Sequence, residues 1–302
     1  QDRPYVDKMV SFLDSDHHYL ECDNKMQADL LYRSVDAHDL PCMADIDSSL
    51  QYFCEEVSHS HKVVLTGECA DEVFGGYPWF HREEMLNSGT FPWTPSLTPR
   101  KVLLKDDLVK SLHMDEYVKM IYDRSVSEIN VLPSENEIET NRRRIGYLNI
   151  RFFMQTLLNR MDRTSMFSGL EARVPFADRT LVDYVFNIPW EMKAKDGLVK
   201  NILRQASKGL LPDEILFRRK SPYPKTYNPY YENLLAKRLK EVLSDSASPL
   251  HSLLNLKQVS QFLDNPKDYG APWYGQLMAG PQMIAYLLQI EYFLRKYNVS
   301  IR

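Results

Sequence analysis

Apolar residues recur at helical spacing from Tyr5 to Leu13, with Val6, Met9, Val10 and Leu13 on one face, so the chain opens on a predicted helix. His18-Tyr19-Leu20-Glu21-Cys22 reads as a short strand. Helical patterns then cover Lys25 to Val35 and Ile46 to Val57, on either side of Asp39-Leu40-Pro41, and Lys62 to Thr66 reads as the next strand, buried along its apolar run Val63-Val64-Leu65. Strands alternating with helices imply a parallel sheet. After Tyr77 the texture changes. Pro92, Pro95 and Pro99 punctuate a loop, and helical periodicity dominates beyond it. The expected fold class is therefore α/β, a partial parallel sheet over 1–80 followed by a mainly helical region over 81–302. Ile145, Leu148, Asn149, Phe152, Gln155, Thr156 and Asn159 mix apolar and amide residues on neighbouring faces, which suits a core helix, either plain or with a polar edge beside a site.

Composition narrows the class. A chain of 302 residues holds one large domain or two smaller ones, at roughly 100–200 residues per domain. A net charge of −4 gives no general attraction for nucleic acid or anionic membrane, although Arg142-Arg143-Arg144 and Arg218-Arg219-Lys220 are local basic clusters. No apolar run approaches the ~18 residues needed to span a bilayer. Cys22, Cys42, Cys54 and Cys69 show neither CxxC spacing nor a paired His motif, so spacing suggests no zinc site and no disulfide framework, and a cytoplasmic location is expected. The chain begins at Gln1, inside sequence that reads as structured, and is expected to be part of a longer protein.

Three constellations carry chemistry. In the first, the strand empties into Thr66-Gly67-Glu68-Cys69-Ala70-Asp71-Glu72-Val73-Phe74-Gly75-Gly76-Tyr77. Open α/β sheets bind ligands beyond the carboxyl ends of their strands, and Gly67 removes a Cβ that would hold a ligand off the backbone. The same pattern also suits an ordinary strand-to-helix turn, with Asp71 and Glu72 favouring the helix N-terminus. The second runs from Arg160 to Asp178. Its charges, Asp162, Arg163, Glu171 and Arg173, stand among apolar residues, as buried mutual pairs or as site residues. The third is Lys200-Asn201-Ile202-Leu203-Arg204, then Leu211-Pro212 through to Lys220, whose lysines would by default be surface groups.

Together these resemble the ATP-dependent synthetase domain of the glutamine-hydrolysing asparagine synthetase family. The motifs are Thr66 to Glu72 with Phe74-Gly75-Gly76-Tyr77, Leu170-Glu171-Ala172-Arg173-Val174-Pro175-Phe176, and Lys200 through Leu203-Arg204 and Leu211-Pro212 to Lys220. The resemblance implies an adenine-nucleotide alpha-hydrolase-like sheet. In it, 1–80 is a remnant of the ATP pyrophosphatase core, without its first strand, phosphate loop and second strand, and 81–302 is the helical part of the same domain. It further implies aspartate and ATP as substrates, Mg²⁺, ammonia from a glutaminase domain upstream, and an acyl-AMP intermediate. Thr66 and Gly67 would lie against the nucleotide, Asp71 would hold Mg²⁺, and Glu68 would position ammonia or accept its proton. Lys200 and Lys220 would neutralise pyrophosphate and developing charge. Asp162 falls where a cyclase subgroup keeps an acidic catalytic partner, and Arg173 would organise the pocket wall.

The chain departs from the family in two ways. The family loop reads Ser-Gly-Glu-Gly-Ser-Asp-Glu, whereas Thr66, Cys69 and Ala70 stand at three of its positions here, and carboxylates beside Cys69 should raise its thiol pKa. The Ser-Gly-Gly-x-Asp-Ser-Ser phosphate loop is absent, so residues 1–302 alone are expected neither to form asparagine nor to bind ATP tightly. A sheet without its first strands should expose an edge and favour a homodimer. Two alternatives stay open: an intramolecular amide ligase of β-lactam synthetase or peptide cyclase type, against which Glu68 speaks, and a non-catalytic relative.

Overall fold

A computed structural model describes residues 2–220, 228–266 and 279–300. Pro4 occupies the first turn of α1 (Arg3–Leu13), where its missing N–H is no loss, and the helix stops where Asp14 turns left-handed at φ 49°. The helix predicted over 25–35 is two: α2 (Asn24–Asp29), whose N-terminus is capped by Asp23 accepting from the Met26 N–H at 2.8 Å, and α3 (Leu31–His38). The break at Leu30 aims Ala28, Leu31 and Val35 into the core, all fully buried. Helix α4 (Ala44–Ser58) carries Asp45 and Asp47 in its first turn, where carboxylates complement the helix dipole.

Strand β1 (Val63–Leu65) pairs in parallel with β2 (Glu171–Arg173), Val63 opposite Glu171 and Leu65 opposite Arg173. Hydrogen bonds from Glu171 N–H to Lys62 O (2.8 Å) and from Thr66 N–H to Arg173 O (2.9 Å) extend the ladder. These two strands are the whole sheet among the described residues. Two expectations are corrected here. Residues 18–22 form no strand, because no neighbouring strand offers their backbone a ladder, and Tyr19 remains 47% exposed. Strand β1 is not buried: with a single neighbouring strand, Val63 is 41% and Leu65 74% exposed.

Helices dominate the remainder. A long helical run, 137–167, opens on a reciprocal cap between Asn136 and Glu139 and passes through a π-helical turn at Asn149–Met154. Three apolar clusters fill the interior. Tyr231, Leu235, Ile284 and Leu288 lead the first, where the helices Pro229–Ser244 and Gly280–Lys296 meet α2 to α4. Trp79, Phe80, Trp93 and Phe153 form an aromatic second. Val73, Phe74, Met154 and Val185 form the third, directly behind the loop that follows β1. No helix is long and apolar enough to cross a membrane among the described residues.

Candidate active site

The chain leaves β1 through Thr66 and Gly67, and a Cβ added at Gly67 would meet nothing within 4 Å, so this stretch borders open space. Cys69, 2% exposed, then takes a left-handed backbone at φ 71°, which explains the family's glycine at this position. Burial first, and then Glu72 and Glu68, push its thiol up to about 12, in the expected direction. Helix α5 (Ala70–Phe74) follows and carries Asp71 in its first turn.

Asp71 is the meeting point of the first and third constellations. Lys200 Nζ lies 3.0 Å from its Oδ1, and Lys220 Nζ lies 3.2 Å from Oδ2. Each position has a local cause. Lys200 adopts a left-handed backbone (φ 56°) immediately before the helix Asn201–Ala206. Lys220 Nζ sits 4.0 Å from the centre of the Tyr77 ring. Gly76 makes room for the carboxylate, since a Cβ there would lie 1.8 Å from Asp71 Oδ1. Tyr77 OH donates to Glu72, which is itself 3% exposed.

The electrostatics of the pair are unequal. Burial pushes the Asp71 carboxyl upward, but the two ammonium groups outweigh it and hold Asp71 below the usual carboxylate range. Burial pushes the Lys220 ammonium down, and Asp71, shared with Lys200, does not restore it. Glu72 is raised by burial, with the Tyr77 hydrogen bond opposing. Although the charges are close, Asp71 Oδ1 and Lys220 Nζ are both buried without a hydrogen bond of good geometry. Both are nonetheless ion-paired, Oδ1 with Lys200 and the Lys220 ammonium with Oδ2. A hard carboxylate oxygen is the donor type that magnesium takes, and two adjacent ammonium groups fit phosphate oxygens.

Glu68 has a separate partner. Arg160 Nη2 donates to its Oε1 at 2.6 Å, and Arg160 Nε lies 3.8 Å from Asp47 Oδ1, which is fully buried. Arg160 comes from the 137–167 run, whose amide edge does border the site: Asn149 Nδ2 donates to Glu72 O at 3.1 Å. Thr66 Oγ1 accepts from the Glu68 N–H at 3.4 Å.

Thus Asp71, Lys200 and Lys220 come together, Thr66 and Gly67 lie on the same loop, and Glu68 turns to Arg160. Asp162 joins none of these: it is exposed, two residues past Arg160, and positions i and i+2 point to different sides of a helix. Nor do the charges of the second constellation form buried pairs. Arg173 pairs with Glu171 at 2.7 Å with both more than half exposed, and Arg163 reaches Asp39 only at 3.9 Å. Sequence reasoning missed Arg160, Asp47 and Gly76. Arg160 had a signal, because it stands one turn after Thr156 on the amide edge; Asp47 looked like any first-turn acid.

A family model described as asparagine synthase matches residues 1–295. The chain is 47% identical to asparagine synthetase [glutamine-hydrolyzing] 3 of Bacillus subtilis (strain 168) over 301 residues, 99% of this chain and 49% of that relative. It is 26% identical to asparagine synthetase [glutamine-hydrolyzing] 1 of the same organism over 68% of this chain and 37% of the relative. A shorter match, 45% over 67 residues, is to the asparagine synthetase [glutamine-hydrolyzing] of Rattus norvegicus. The chain thus spans about half the length of the first of these relatives or less of the others. By its family match and its identity along nearly the whole chain, this protein belongs to the asparagine synthase family.

Proposed function

We propose that this chain supplies the synthetase site of an enzyme that activates the side-chain carboxylate of aspartate with ATP and amidates it with ammonia released from glutamine. The observation that carries the reading is the convergence of Lys200 and Lys220 on Asp71 from separate stretches of sequence. Activation forms a bond between a carboxylate oxygen and the α-phosphorus and expels pyrophosphate. Ammonia then attacks the acyl carbon, and AMP leaves.

Charge handling dominates both steps. Lys200 and Lys220 would neutralise phosphate and acyl oxygens, and the Tyr77 ring lies against the Lys220 ammonium. Asp71 would hold Mg²⁺ through a carboxylate oxygen that now pairs with a lysine, and the ion would supply further neutralisation of the pyrophosphate. The open backbone at Thr66 and Gly67 suits close approach of the nucleotide. Ammonia must be neutral to attack, and Glu68 would take a proton from ammonium while Arg160 fixes the carboxylate's direction.

The test is AMP formation by the full gene product, measured over a panel of carboxylic acids with glutamine or ammonium. Aspartate-dependent AMP should fall by about 10²–10³-fold in Lys220→Met. Activity confined to a substrate carrying its own amine would replace this reading with an intramolecular amide ligase.

A further inference from the structure

Arg160 faces two ways. One side of its guanidinium meets Glu68, and the other lines a cavity of about 370 Å³ bounded by α3, α4 and the 137–167 run. On the cavity wall stand His38, the last residue of α3, Cys42 from the connection, and Asp47 from the first turn of α4. One donor atom from each, a nitrogen, a sulfur and an oxygen, lies within 4.8 Å of the other two. His38 and Asp47 are 9% and 0% exposed, so water does not solvate them freely.

An ordinary buried polar network accounts for part of this arrangement. His38 Nε2 is 3.0 Å from Thr164 Oγ1, Asp47 Oδ2 accepts from the Met43 N–H at 2.6 Å, and Gln289 Nε2 donates to Cys42 Sγ at 3.3 Å. Asp47 Oδ1 stands apart from it: buried and without a hydrogen bond, it faces Arg160 Nε at the ion-pair distance of 3.8 Å. Outer contacts of this kind also accompany metal ligands, fixing the direction of a carboxylate and stabilising a thiolate.

The geometry points to a binding site for a borderline-soft divalent cation of the zinc class at His38, Cys42 and Asp47. A tetrahedral zinc centre with these donors has edges of about 3.4–3.6 Å. His38 Nε2 and Asp47 Oδ2 are 3.9 Å apart and no pair of the three donors exceeds 4.8 Å, so the set closes by contraction. Nitrogen and sulfur donors select against magnesium and calcium. Three protein ligands leave a fourth position facing the cavity. Binding displaces the Cys42 thiol proton to solvent, and the resulting thiolate with Asp47 offsets the dication against Arg100, Arg160 and Arg163 on the same wall. The site tethers the end of α3 to the start of α4, and through Asp47 and Arg160 it reaches Glu68.

Cobalt(II) titrated alone into the full chain tests this. Expected is a thiolate-to-cobalt charge-transfer band with tetrahedral d–d absorption, saturating at one equivalent and displaced by zinc. Cys42→Ser should abolish the charge-transfer band, and Cys54→Ser should keep it. Gln289→Ala should retain the band and weaken affinity by about 10–100-fold. If Cys42→Ser fails to fold, His38→Gln serves instead, with the band retained and affinity at least tenfold lower. No band in the unmodified chain, a band surviving Cys42→Ser, one lost in Cys54→Ser, or unchanged affinity in His38→Gln would overturn the site.

Discussion

The loop after β1 and the C-terminal helix pair solve opposite physical problems. In the pair, Pro229–Ser244 and Gly280–Lys296, the side chains of Tyr231, Leu235, Leu239, Ile284 and Leu288 are fully buried. The amide of Gln289 among them donates to Leu31 O and Ser34, and Gln282 donates to Asp45. In the loop region, Cys69 and Lys200 hold left-handed backbones, Glu72 is buried, and Asp71 draws two ammonium groups to one carboxylate. Strained residues and clustered like charges persist only where the surroundings over-determine them. The pair supplies rigidity, while the loop places charge where packing alone would not.

That contrast can be broken most severely in the pair. Leu239→Ala should cost about 2–5 kcal/mol in denaturant unfolding, with the activity of the folded fraction retained. A loss confined to activity would mean that the two regions are not separable. The next test moves to a buried charge outside both regions. Burial first, and Arg143 second, push Lys193 down to about 8, and its ammonium donates to Phe186 O at 3.1 Å. The folded pKa therefore lies below the unfolded one, near 10.5. Between these values the unfolded chain binds the extra proton, so stability should rise with pH from about 8 to about 10.5, by about 3 kcal/mol relative to Lys193→Met. Parallel stability profiles of the two proteins would remove this buried charge from the account.

Gly76→Ala sharpens the loop side. Its Cβ collides with Asp71 Oδ1, so the carboxylate must swing away from the lysines. Aspartate-dependent AMP formation by the full gene product should drop about 100-fold while the unfolding midpoint barely moves. Smallest is Cys69→Gly. Relief of the left-handed backbone, about 1–2 kcal/mol, should nearly offset the lost burial of the side chain. The net change in unfolding free energy should stay below about 1 kcal/mol. In the unmodified protein, a thiol near 12 should resist alkylation at pH 8.

What was legible in the sequence follows the range of the forces involved. Helices α1 and α4 and strand β1 declare themselves through nearest-neighbour periodicity, and the Asp71 loop through its residue types. The split between α2 and α3 was hidden, because Leu30 carries no breaker chemistry and its turn is dictated by packing. Residues 18–22 have strand periodicity but no strand to pair with, which no local pattern reveals. The Arg160 to Glu68 contact joins residues 92 apart in sequence, and Gly76 matters only through the atom its missing Cβ would strike.

The π-helical turn at Asn149–Met154 sets a phase for everything after it. Such a turn holds about one residue more than an α turn, so drawing the same residues into a regular α-helix would rotate the following helix by about 100°. Asn149 would keep its grip on Glu72 O, but Arg160 would point away from Glu68 and from the cavity behind it. One inserted residue therefore acts as a rotational offset, and it lets a single helix serve two faces of the site from positions that a regular helix would hold out of register.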